Sequence, residues 1–296
     1  MLFETVLFNR YEFMINHRID PSFQRLLNEL ADNNIHQVFL EHFNLETVSA
    51  DVFLSRHKIR PENCLVFAST DQTLQFFSNV NVAVLGFLNG EYPDESLNLA
   101  DILVEGFDEV DLLYLERVYM RNHKMPWTIA ETKRCVIREM TLDDLDEMYE
   151  IYKDEKIRHF IENLYEDREE EEAYTKTYIE NMYGFYGYGM WIVNDKETGK
   201  IIGRAGLDLS DASEDVRLEM GYLIREEYRN QGYATEACKE VIHFAAEETY
   251  FEELYCFIME ENEASIRFSL KLGFIYDGEE VIDGKTMQRY RKTLHF

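Results

Sequence analysis

The stretch Gly221-Tyr222-Leu223-Ile224-Arg225-Glu226-Glu227-Tyr228-Arg229-Asn230-Gln231-Gly232-Tyr233-Ala234-Thr235-Glu236-Ala237 carries an apolar strand through a short charged turn into a helix start that holds a glycine. A helix N-terminus leaves N–H groups unpaired and bears the positive end of the helix dipole. A turn with Gly232 and the small Ala234 therefore lets a diphosphate approach the main chain. The backbone amides of Arg229, Asn230, Gln231, Gly232, Tyr233, Ala234 and Thr235 are the candidate anion ligands, with side-chain contacts from Arg229 and Gln231. The plainer alternative is a strand-turn-helix whose glycine serves packing.

The elements around this turn must hold it in place. After it, Ala237, Val241, Phe244 and Ala245 recur at helical spacing and predict an apolar stripe that anchors the helix to a sheet. Before it, Cys135 to Met140 reads as a strand and Thr141 as an N-cap, with Asp144 at the capping-box position of a helix to about Lys153. A second helix is expected from about Glu169 to Tyr183, followed by an aromatic-glycine loop, Tyr183 to Gly189. The strands 190–193 and 201–207, joined through Asp195 to Lys200, form a hairpin, and Arg217 to Ile224 supplies the next strand. A strand at 254–259 then leads to Asn262, which can cap a helix that Gly273 ends.

This order of elements, with Arg229-x-x-Gly232-x-Ala234, resembles the GNAT acetyltransferases. The run Asn262-x-x-Ser265 to Lys271-Leu272-Gly273-Phe274 resembles the branch that includes the ribosomal-protein N-terminal acetyltransferases. The resemblance implies acetyl-CoA as cosubstrate, its diphosphate held by Arg229 to Thr235. It also implies a pantetheine arm along the main chain of Tyr222, Leu223 and Ile224, and Asn262 beside that arm. Asn262 equally suits pure capping. Glu219 falls where several such enzymes carry a catalytic carboxylate, which implies a base acting through water on an ammonium substrate; a solvated or salt-bridged strand glutamate is the alternative. Many relatives place a tyrosine acid where this chain has Ser269, and Tyr228 and Tyr276 are weak substitutes. The Tyr183 to Tyr188 loop and Arg158-His159-Phe160-Ile161 are expected to border the acceptor groove, with ordinary packing as the alternative.

At 296 residues the chain suits two domains, and Pro126 marks a boundary, giving 1–126 and 133–296. Strands at 5–8, 37–40, 63–68 and 82–87, with helices at 21–30 and 73–77, predict a small parallel α/β sheet ahead of the mixed α+β second part. The first part resembles a haloacid-dehalogenase-like phosphatase, but its first strand ends in Phe8-Asn9-Arg10-Tyr11, and Ala68-Ser69 stands where that family has a metal-binding Gly-Asp pair. Lacking nucleophile and magnesium ligand, it reads as a degenerate, noncatalytic relative.

A net charge of −28 opposes nucleic-acid and anionic-membrane partners. With no signal sequence, no apolar span and four scattered cysteines, a cytoplasmic protein without metal is expected. The expected function is direct acetyl transfer to a primary amine, either a protein N-terminus or a small amine. The alternative is a catalytically weak acyl-CoA sensor or scaffold. Acceptor identity and oligomeric state stay open.

Overall fold

The computed structural model describes residues 2–43, 48–210, 216–282 and 284–294. The chain divides into two compact units, Met1–Trp127 and Thr128–Phe296.

In the first unit, β1 (Thr5–Phe8) is followed by a small hairpin of β2 (Met14–Ile15) and β3 (Arg18–Ile19), then α1 (Pro21–Asp32) and β4 (His36–Phe39). Next come α2 (Ala50–Arg56), β5 (Cys64–Ala68), α3 (Asp71–Phe77), β6 (Ala83–Phe87), β7 (Ile102–Val104) and α4 (Leu112–Asn122). The sheet is wholly parallel in the order β4-β1-β5-β6-β7. Every residue of β1, β5 and β6 is buried, as strands covered on both faces require. One face packs Phe8, Phe13, Phe23, Phe67 and Phe107, with Phe13 stacked on Phe23 at 4.3 Å; the other packs Leu7, Phe53, Val66, Leu74 and Val84. Asp20 caps α1 by accepting from the Ser22 and Phe23 N–H groups, and Phe23, Leu26, Leu27 and Leu30 form its buried side, as their spacing predicts.

The chain leaves β1 toward β4 on one side and later returns to β5 on the other. The crevice beyond the ends of β1 and β5 is thus the switch point where doubly wound sheets hold ligands. Here the chain fills it with its own carboxylate. Glu12 accepts from Ser69 N–H at 2.7 Å and from Thr73 Oγ1 at 2.6 Å, while Asn89 Nδ2 donates to the Glu12 carbonyl at 2.8 Å. Burial pushes the Glu12 carboxyl above its ordinary value. Removing it would strand the buried Ser69 N–H, so Glu12→Ala is expected to destabilise this unit by about 2 kcal/mol or more in urea unfolding, with Glu12→Gln in between.

The second unit opens with β8 (Thr128–Glu131) and β9 (Cys135–Arg138), then α5 (Leu145–Ile151), α6 (Glu155–Phe160) and α7 (Arg168–Tyr178). It continues with β10 (Met190–Asp195), β11 (Ile201–Ser210), β12 (Arg217–Ile224), α8 (Tyr233–Glu248), β13 (Glu253–Ile258), α9 (Glu263–Lys271), β14 (Ile275–Ile282) and β15 (Lys285–Thr293). Its sheet runs β14-β15-β13-β12-β11-β10-β9-β8, and β12 with β13 is its parallel pair. Thr128 to Glu131 precede Lys133, where the sequence places the start of the second part, yet β8 pairs with β9 and so belongs to this sheet. Ala237, Val241, Phe244 and Ala245 are buried, and Phe244 meets Trp191 of β10 edge-on at 4.8 Å, which seats α8 on the sheet.

The aromatic-glycine segment is not the expected loop. Ile179–Tyr186 continues α7 as a π-helix and ends at Gly187 in the left-handed region. The wider turn brings Tyr183 inward, where its hydroxyl donates to the Met190 carbonyl at 2.6 Å and accepts from Met140 N–H. A β-carbon on Gly189 would lie 2.7 Å from the Tyr183 ring, so only glycine allows this approach.

Candidate active site

Beyond β12 the chain turns sharply because Asn230 and Gly232 both take left-handed backbone, at φ 59° and 88°. Gly232 stands at the N-cap of α8 without a side-chain cap, so the first-turn amides face outward unpaired by any side chain among the described residues. This is the arrangement that receives an anion. Tyr233, Ala234 and Thr235 form that first turn, and Glu236, which would repel an anion there, is drawn aside by Thr132 Oγ1 at 2.6 Å and Arg134 N–H at 2.7 Å.

The side chains of Arg229 and Gln231, expected to add contacts to the anion, are engaged here with the protein itself. Arg229 clamps the turn, donating to the Ile224 carbonyl at 2.8 Å and pairing with Asp154 at 2.5 Å. Gln231 Nε2 donates to the Glu227 carbonyl. Two further cations stand beside the mouth, Arg134 and Lys271. Arg134 bonds the Gln231 carbonyl and lies over the Tyr233 ring, with an Nη atom 3.3 Å from where a Gly232 β-carbon would stand. Lys271 reaches Thr235 Oγ1 at 3.4 Å. Both lie far from the turn in sequence; Lys271 falls in the Lys271 to Phe274 run, whereas no local pattern marks Arg134.

Upstream, β12 pairs with β11 along its full length but with β13 only at Leu218↔Leu254 and Glu219↔Tyr255. Past that point the ladder between β12 and β13 stops, with the Cys256 thiol still donating to the Met220 carbonyl at 3.6 Å, and a wedge opens along the main chain of Gly221 to Ile224. Leu223 and Ile224 are buried, so their backbone rather than their side chains is on offer. Tyr222 turns toward α9, its ring 4.6 Å from Phe268 and its hydroxyl 3.3 Å from Ser265 Oγ. Asn262 caps α9, its carboxamide oxygen accepting from Ser265 N–H at 3.2 Å.

Glu219 occupies the apex of the wedge. Directly across the ladder lies Asp208 on β11, and the pair makes no ion pair among the described residues. Burial first, and the Asp208 charge second, push the Glu219 carboxyl up to about 8, against a hydrogen bond from the Phe257 N–H that favours its ionised form. A carboxyl so placed exchanges protons near neutrality, as a general base must. Among the described residues Glu219 makes no ion pair.

A protein acid for a leaving thiolate is not built in at the expected places. Ser269 is buried and donates to the Ile266 carbonyl. Tyr276 stands on the edge strand β14, separated from β12 by β15 and β13. Tyr228 packs edge-on against Tyr233 at 5.6 Å. Within the segment expected to border the acceptor, Phe185 and Tyr186 are exposed while Tyr183 is buried. Within Arg158 to Ile161, His159 lies 3.9 Å from Glu261, ahead of α9.

Residues 134–275 match the family model described as an acetyltransferase (GNAT) domain. A Bacillus subtilis protein, YkkB, is 29% identical over 109 residues, which are 37% of this chain and 59% of that protein. The Bacillus subtilis N-acetyltransferase YoaA is 26% identical over 152 residues, 51% of this chain and 84% of that one. A solved GNAT-family acetyltransferase from Bordetella pertussis superposes with a TM-score of 0.48 at 17% identity, covering 55% of this chain and 98% of its own. No group of side chains suited to a metal ion occurs among the described residues, and no helix among them is long and apolar enough to cross a membrane.

Proposed function

We propose that the GNAT acetyltransferase domain formed by residues 134–275 transfers acetyl from acetyl-CoA directly to a primary amine, with Glu219 as the base. GNAT acetyltransferases use acetyl-CoA, and the groups present fit it. The unpaired amides from Gly232 to Thr235, with Arg134 and Lys271 beside them, offer a seat for the diphosphate. The diverging main chain of β12 offers a track for the pantetheine arm. That track runs from the helix mouth to Glu219, so an acyl group at its end reaches the carboxylate, and this meeting of anion seat and base carries the proposal.

The ammonium of the acceptor gives its proton to Glu219, directly or through water, and the freed nitrogen attacks the acetyl carbonyl carbon. The C–N bond forms as the C–S bond breaks, and the second nitrogen proton passes to solvent to leave the neutral amide. A thiolate with an ordinary pKa near ~8.5 leaves readily and takes its proton from solvent, which accommodates a buried Ser269 at the usual acid position. No covalent enzyme intermediate is needed.

Ser269 also favours a second reading, an acyl-CoA sensor that binds without turnover. Calorimetry with acetyl-CoA followed by thiol release across an amine panel separates them. Binding with amine-dependent thiol release supports the transferase; binding with no release on any amine supports the sensor; no binding overturns both. Acceptors in view are a protein N-terminus or a small amine, and four buried free cysteines suit a reducing, cytoplasmic setting.

For the first unit we keep the reading of a degenerate haloacid-dehalogenase-like domain. The two stretches that would carry that chemistry, Phe8 to Tyr11 and Ala68-Ser69, meet at one crevice because β1 and β5 pair in register at Phe8↔Phe67. There Asn9 caps a helical turn and Glu12 is consumed by hydrogen bonds.

A further inference from the structure

We propose that Asp208 is the residue that selects acceptors arriving as cations, holding the ammonium against Glu219 on the outer face of the β11–β12 ladder. This rests on the transferase reading of the same site.

Asp208 and Glu219 are directly opposed in an antiparallel pair, so their β-carbons stand about 5 Å apart on one face. Like charges so placed are unfavourable unless a cation joins them or one carboxyl keeps its proton. Among the described residues neither has a Lys or Arg partner. The nearest cation to Asp208 is Arg204 on the same strand, and it is engaged by the Tyr152 hydroxyl and makes no ion pair with Asp208. An ammonium is the natural third member.

The surroundings suit one. Tyr174 and Tyr178 of α7, and Tyr188 after the π-helix, all lie close enough to feel the Asp208 charge, and the half-exposed Tyr174 offers an aromatic wall at the groove. Glu162 adds a further negative charge beside Tyr174. Around Glu219, β13 presents the Phe257 N–H and the neutral Cys256 thiol. Gly206 and Gly221, the next opposed pair on the same face toward the α8 end of β12, carry no side chains, although Met190 approaches Gly221. The acceptor nitrogen then lies between two carboxylates: Glu219 takes the proton, and the ammonium offsets the burial that raises the Asp208 carboxyl above its ordinary value, favouring its charged form.

Asp208 is exposed and its carboxyl oxygen accepts from Leu209 N–H, a bond that asparagine can reproduce, so Asp208→Asn is expected to fold. Two probe amines are compared at pH 7: pentylamine, which enters as a cation, and aniline, which enters neutral. Asp208→Asn should raise KM for pentylamine roughly tenfold, leave KM for aniline and for acetyl-CoA unchanged, and move the acid-side limb of the pH–rate profile to lower pH. A purely structural role would alter both amines alike. Asp208→Glu should restore part of the preference. Calorimetry of pentylammonium chloride on the CoA-loaded protein gives a readout that needs no turnover. Wild-type binding that is lost in Asp208→Asn supports the inference even if no amine is acetylated, an outcome that would sink the transferase reading alone. Equal affinities in both proteins, no wild-type binding, or equal effects on the two amines with normal turnover would overturn the inference and leave that reading standing.

Discussion

Gly232→Asp is expected to weaken acetyl-CoA binding by on the order of 100-fold while the protein stays folded. The substitution is chosen because its two local effects oppose each other. Aspartate is a favoured N-cap residue and visits left-handed backbone more readily than most side chains, so at φ 88° it can cap the free amides of α8. Capping uses up the very N–H groups that would meet the diphosphate and places a like charge at the mouth. Gly232→Asn isolates the charge: it caps in the same way without the repulsion, and should fall between wild type and aspartate. Titration calorimetry with acetyl-CoA measures both, and thermal unfolding reports the fold. Unchanged affinity in Gly232→Asp would mean that the coenzyme's phosphates do not lie at this helix.

The helix mouth was legible in the sequence because its parts are local. Strand, left-handed turn and helix lie within about two turns of chain, and Gly232, Ala234 and the Ala237–Val241–Phe244 stripe are readable by spacing alone. What escaped was set by partners distant in sequence. Arg229 reads as an anion ligand from its motif, but Asp154, 75 residues away, turns it into a clamp on the turn. Arg134 reads as a strand-start cation until Glu236 and Gln231 are seen to hold it beside the mouth. The Asp208–Glu219 opposition depends on the β11–β12 register, which a stretch of alternating residues does not fix on its own. The π-helix was hidden by its glycines: Gly184 and Gly187 signal a loop, yet packing of Tyr183 beneath Gly189 holds the chain helical as far as Tyr186. In the first unit the buried strands announce a parallel sheet, whereas the part played by Glu12 depends on Ser69 and Thr73, which lie 57 and 61 residues away in sequence.

Glu219→Gln is expected to lower turnover by 100-fold or more, on the scale of a lost general base, and at the same time to stabilise the protein above neutral pH. The two effects share one cause. In the unfolded chain the Glu219 carboxyl ionises near its ordinary 4.5, whereas in the folded protein burial and Asp208 hold the proton until about 8. A carboxyl whose folded pKa is raised supports the fold fully below the unfolded value, and that support is lost as pH rises from 4.5 through 8. Glutamine never ionises. The variant should therefore match wild type in unfolding free energy near pH 4 and exceed it increasingly toward pH 8, by a margin on the order of a few kcal/mol that urea unfolding across pH measures. Catalysis shows the opposite face of the same titration: wild-type kcat/KM should climb along an acid-side limb as Glu219 loses its proton, and the variant's residual rate should lack that limb. Acetyl-CoA affinity should be unaffected, because the anion seat lies at the far end of β12. A variant that keeps its turnover and its pH profile would remove Glu219 from the chemistry, and one that loses turnover without gaining stability at high pH would show that the carboxyl is already ionised in the resting protein.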